Sequence, residues 1–124
     1  MNTLQSTIEE AYKKIQVIND ETIASETKAA IVEAIALIDK GKLRVAEKQG
    51  NRWVVHQWLK QAILLSFRIS SNHMFDAGYT HYFDKIPLKY AEFTTQQFQD
   101  QQLRIVPNAC IRKGAFIAKN TILR

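Results

Sequence analysis

Arg104 to Arg124 reads RIVPNACIRKGAFIAKNTILR. Ile105, Ile111, Ile117 and Leu123 recur at intervals of six, and the small residues Ala109, Ala115 and Thr121 stand four places after the first three. A helix repeats near 3.6 and a strand near 2, so neither accounts for a period of six. That period belongs to the left-handed parallel β-helix. Three hexapeptides make one triangular coil. The large aliphatic residue fills the interior of a flat side, and the small one fits near a tight corner. Ile117 to Ile122 satisfies the pattern at every constrained position. A solenoid coil cannot bury its face without a stacked neighbour, and its open end leaves strand edges unpaired. The repeat stops at Arg124 with barely one coil. This reading therefore expects a truncated chain, or partner coils lying elsewhere.

Upstream of the repeat the periodicity is helical. Leu4, Ile8, Ala11, Ile15 and Ile18 share one face, which predicts a helix near 3–17. Ile31, Ile35 and Ile38 predict another over about 26–40, capped by Ser25 and ended by Gly41. Leu43 to Lys48 alternates, and Arg52 to His56 is rich in β-formers. Gln49-Gly50-Asn51 between them predicts a hairpin. Trp58, Ala62, Leu65 and Ile69 line one face of a third helix over 57–69. Ser70 to Gly78 reads as loop and Tyr79 to Lys85 as extended chain. Thr94 and Gln97 have capping-box spacing for a short helix reaching about Gln101. The fold class is thus an α+β N-terminal domain of three main helices and a small hairpin, residues 1–103. It leads into the start of a left-handed β-helix, residues 104–124.

The 124 residues are 46% hydrophobic and 23% charged, ordinary for a globular domain. No apolar run is long enough to span a membrane, and the polar, acidic start MNTLQSTIEEAYKK is unlike a signal peptide. Cys110 is the only cysteine, which rules out an internal disulfide. A cytoplasmic location is expected. The net charge of +5 lies entirely in the repeat. Arg104, Arg112, Lys113, Lys119 and Arg124 carry it without an acid among them, while residues 1–103 sum to zero. Such a patch suits nucleic acid, a polyanionic cofactor or a multiply charged substrate. It also suits the solvated outside of a β-helix.

Blocks of the upstream sequence resemble one family. GKLRVAEK (41–48), Trp53-Val54, HQWLK (56–60) and LLSFRI (64–69) are similar to the N-terminal domain of the tetrahydrodipicolinate N-succinyltransferases. Tyr82-Phe83-Asp84-Lys85 with Pro87 and Lys89 is similar to that family's next block. Arg104-Ile105-Val106-Pro107, then Arg112 and GAFIA (114–118), is similar to its entry into the β-helix. The resemblance covers nearly the whole chain and is weakest around Ile18–Thr27 and Asn72–His81. It implies a homotrimer that moves succinyl from succinyl-CoA to the amine of ring-opened tetrahydrodipicolinate, in lysine and diaminopimelate synthesis. Succinyl-CoA is then a co-substrate, and no cofactor is permanently bound. The family's catalytic acid and base and its CoA groove lie beyond Arg124, so no catalytic or cofactor-binding residue is expected here, and the span alone should be inactive.

Arg104 is the one site residue that carries over. The family has an arginine there that binds the amino-dicarboxylate, and a guanidinium can hold a carboxylate through two parallel hydrogen bonds. From the residue alone, an arginine pinning the domain junction is the alternative. His56, His73 and His81 show no metal-ligand spacing, so no metal site is expected. Cys110 reads as a packed side chain, Trp58 as core, Arg68 as a cation suiting a helix C-terminus, and Asp84-Lys85 as a structural pair. Two other functions stay open: a non-catalytic basic binding module, and a hexapeptide acyltransferase of different specificity. No helix concentrates Lys and Arg on one face, so nucleic acid is not an expected partner.

Overall fold

A computed structural model describes residues 2–124. The apolar stripes of three helices meet in one core. Helix α1 (Asn2–Tyr12), α2 (Ser25–Asp39) and α3 (Gln57–Arg68) pack pairwise on one another. Ile8, Ile31, Ala34, Leu59, Ala62 and Leu65 are almost completely enclosed. Of the stripe that predicted the first helix, Ile8, Ala11 and Ile18 are buried and Leu4 and Ile15 partly so, but the helix is shorter than 3–17. It breaks after Tyr12, and a 3-10 turn over Ile15–Val17 brings Ile18 back into the core.

The α2 terminus differs from expectation at its start. Ala24 is the capping residue, with no side-chain cap, and Ser25 is already helical. The entry is shaped upstream, where the Asn19 carboxamide oxygen accepts from the amides of Glu21 and Thr22. The C-terminus ends as the glycine predicts. Gly41 takes φ +76°, and the amide of Lys42 donates to the Leu37 carbonyl at 2.9 Å.

Strands β1 (Ala46–Gln49) and β2 (Arg52–Val55) form the expected hairpin around Gly50-Asn51, with β1 shorter than the alternation suggested. A second hairpin joins the stretch expected as loop, Ser70 to Gly78, to the stretch expected as extended, Tyr79 to Lys85. Strand β3 (His73–Asp76) pairs antiparallel with β4 (His81–Asp84), in the register Met74↔Phe83 and Phe75↔Tyr82. The Asp76 carboxylate accepts from the Gly78 amide inside the turn. Polar neighbours on both sides hid β3, whose strand character comes from its partner. Helix α4 (Thr95–Gln101) carries the predicted capping box: Thr94 Oγ1 accepts from the Gln97 amide and Gln97 Oε1 from the Thr94 amide.

The end of residues 104–124 returns beside their beginning. Strand β5 (Arg104–Ile105) and β6 (Ile122–Leu123) pair in parallel, Arg104 opposite Ile122. Partners are therefore 18 residues apart (122 − 104), which is three hexapeptides.

Candidate functional site

The repeat has three rows, and each has a physical reason. Ile105, Ile111, Ile117 and Leu123 are half-buried, as are Ala109, Ala115 and Thr121. The residues just before the aliphatic row, Arg104, Cys110, Phe116 and Ile122, are exposed. Successive side chains in extended backbone point to opposite faces, so this outer row is the reverse side of the interior one. Cys110 falls in it and is exposed, contrary to the packed side chain expected. The third row escaped the sequence reading. Gln102, Asn108, Gly114 and Asn120 have φ of 54°, 79°, 110° and 62°, again six apart. A left-handed residue stands three places before each aliphatic one, and Asn and Gly are the types that tolerate that conformation. Asn or Gly at 108, 114 and 120 was the signal available.

Arg104 opens the repeat directly after α4 and the left-handed Gln102. Its amide donates to the Thr121 carbonyl at 3.1 Å, and the Val106 amide to Leu123 at 2.8 Å. The backbone is thus held from both sides while the side chain stands outward. Among the described residues the Arg104 guanidinium has no hydrogen-bond or ion-pair partner.

The other cations of the repeat are mostly unpaired too. Arg112 lies 3.4 Å from Asp84, an exposed contact of little energetic weight. The Asp84 carboxyl sits below its ordinary value, chiefly because the Ile86 amide donates to it, with Arg112 and Lys85 adding to the effect. Lys85 itself donates to the Phe67 carbonyl at 3.2 Å. The expected Asp84–Lys85 pair is therefore replaced by two separate anchors.

A latch joins the helical core to the repeat. Asp39 Oδ1, at the end of α2, accepts from Lys89 Nζ at 2.7 Å and from the Gly114 amide at 2.8 Å. Lys89 also donates to the Asp39 carbonyl. Its amide donates to Ile111, and the Lys113 amide donates to Pro87. Phe116 lies against Gly41, where a Cβ would come within 2.6 Å of the ring, and Arg44 sits 5.8 Å over that ring. Tyr90, in an aromatic cluster with Phe93 and Phe98, has its phenol pushed up by burial and by the charge of Asp39. None of this was legible, because its partners are 50 and 75 residues apart in sequence.

The remaining candidates make structural contacts. Trp58 is buried as expected. Arg68 donates to the Gln16 carbonyl. His56 caps nothing with its side chain and lies 3.4 Å from Glu47. Among the described residues no three His, Cys, Asp or Glu side chains could hold a metal ion. Among the described residues no helix is long and apolar enough to cross a membrane.

Residues 3–69 match the family model described as tetrahydrodipicolinate N-succinyltransferase N-terminal. The chain is 53% identical over 123 residues to the 2,3,4,5-tetrahydropyridine-2,6-dicarboxylate N-succinyltransferase of Mannheimia succiniciproducens. Proteins of the same name from Haemophilus influenzae (strain PittEE) and Legionella pneumophila (strain Paris) are 50% and 48% identical. Each alignment covers 99% of this chain and 45% of the relative. The chain belongs to the tetrahydrodipicolinate N-succinyltransferase family and spans a little under half the length of these relatives.

Proposed function

We propose that these residues are the N-terminal part of an enzyme that transfers succinyl from succinyl-CoA to L-2-amino-6-oxopimelate, the ring-opened form of tetrahydrodipicolinate. The product feeds diaminopimelate and lysine synthesis in the cytoplasm. The observation that carries this is identity of about half, over 99% of the chain, to relatives named for that transfer. The substrate amine attacks the thioester carbonyl, a C–N bond forms and the C–S bond breaks. The amine proton leaves, and CoA departs as the thiol. No covalent enzyme intermediate is needed, so positioning does most of the work.

In this reading Arg104 holds a substrate carboxylate. Its outward, unpartnered guanidinium supports that role over a structural one. Residues 1–103 form the N-terminal domain and 104–124 the first coil of a left-handed β-helix, a reading supported by parallel partners 18 residues apart. The acid and base belong to the rest of the polypeptide, so the span alone is inactive. Active sites form between neighbouring β-helices of a homotrimer. Light scattering on the full-length protein checks that assembly, and an active monomer contradicts it.

Arg104→Ala in the full-length enzyme tests the central role. Loss of a charge-assisted bidentate contact costs roughly 1.5–3 kcal/mol, a ten- to hundredfold weaker amino-dicarboxylate constant. Succinyl-CoA binding should stay near native. Arg104→Lys should recover only part, since an ammonium lacks the planar fork. An unchanged amino-dicarboxylate constant ends the binding role, whatever happens to the melting temperature.

A further inference from the structure

A cavity of about 280 Å³ lies between α2 and α3 and has no part in the reading above. Ile31 and Ile35 from α2 and Ile63 and Phe67 from α3 form its apolar walls. Native interiors are close-packed, with few voids larger than a water molecule. The space opens to solvent, so it is a groove with room for several waters and not an enclosed packing defect. It falls just short of the ~300–1,000 Å³ usual for ligand pockets, which suits a short chain.

The polar groups of the lining are arranged unevenly. Ser66 and Ser70 donate their hydroxyl protons to the Ile63 and Ser66 carbonyls at 2.6 and 2.9 Å. A water inside would therefore find few donors, whereas hydrocarbon needs none. The only charged residues of the lining are Arg112 and Lys113, both exposed, so the charge sits where the cavity meets solvent. No acid lines it. Among the described residues Lys113 has no ion-pair partner, and the exposed contact of Arg112 with Asp84 yields readily to another anion.

We propose that this cavity binds a short aliphatic monocarboxylate, with its chain between α2 and α3 and its carboxylate on Lys113 and Arg112. Arg104 is not in the lining, and the proposal does not rest on the transferase reading.

Calorimetric titration of the full-length protein with decanoate tests it. Saturable binding of one decanoate per chain is expected, with weaker binding of 1-decanol and none of succinate. Ile35→Trp, which fills the cavity, should weaken decanoate binding at least tenfold. Lys113→Glu changes an exposed residue, keeps the fold, and should weaken binding about five- to tenfold. The proposal is overturned by any of four results: no saturable decanoate binding, as when another copy covers the cavity; native affinity in Lys113→Glu; native affinity in Ile35→Trp; or 1-decanol binding as tightly as decanoate.

Discussion

Every buried residue among those described lies between Ile8 and Ile69, whereas Arg104 to Arg124 contains none. Both regions are patterned with aliphatic residues, so composition does not separate them. Period does. A stripe at spacings of three and four faces another helix within the same 70 residues, and three such stripes enclose one another. A row at spacing six has no such partner among the described residues and stays half-buried. The helical part encloses a core of its own, whereas the repeat leaves its aliphatic row only half-buried. The family match at residues 3–69 covers the same stretch as the buried core.

The largest effect is expected in the helical core. Leu65→Ala removes a fully enclosed side chain from the junction of α3 with its neighbours, and should cost about 2–5 kcal/mol. Thermal or denaturant melting measures it. A loss below about 1 kcal/mol would mean that the core collapses around the gap and is less well packed than its burial indicates.

The latch between the regions comes next. Asp39 and Lys89 have side chains 22% and 13% exposed, so Asp39→Ala strands a mostly enclosed ammonium and an amide. Hydrogen bonds to charged groups contribute about 1.5–3 kcal/mol, and partial exposure places the expected loss near the lower end. Asp39→Asn should lose less, because its oxygen can still accept from Gly114. Faster exchange of the Gly114 amide in Asp39→Ala, with α3 unaffected, separates a loosened junction from a general loss of stability.

Gly41 offers a smaller effect with two separable causes. Its φ of +76° disfavours any side chain, and a Cβ would press on Phe116. Gly41→Ala should cost about 1 kcal/mol from the backbone alone. The half-exposed Phe116 ring can swing outward to relieve the contact. A double-mutant cycle with Phe116→Ala measures the contact. Equal cost of Gly41→Ala in both backgrounds assigns the whole effect to the backbone.

What the sequence made legible was local. The stripes of α2 and α3, the Thr94–Gln97 box, the Gly50 turn and the six-residue rows are each marked by a spacing of a few residues along the chain. Strand β3 was hidden because His73–Asp76 becomes a strand only opposite His81–Asp84. The exposure of Cys110 was legible in principle, since it stands one place before Ile111 in a row that begins with Arg104. The Asp39 latch was not, because no local pattern marks a carboxylate whose donors are 50 and 75 residues away.

Amide hydrogen exchange, compared between the 124-residue span and the full-length protein, tests most directly whether one region is complete and the other awaits its stack. Amides in α2 and α3 should be slow and nearly equal in both. The amides of Arg104 and Val106, which bond to Thr121 and Leu123, should be fast in the span and at least a hundredfold slower in the full-length protein. Equal protection of Arg104 and Val106 in the two would show that a single coil closes by itself, and would contradict the account.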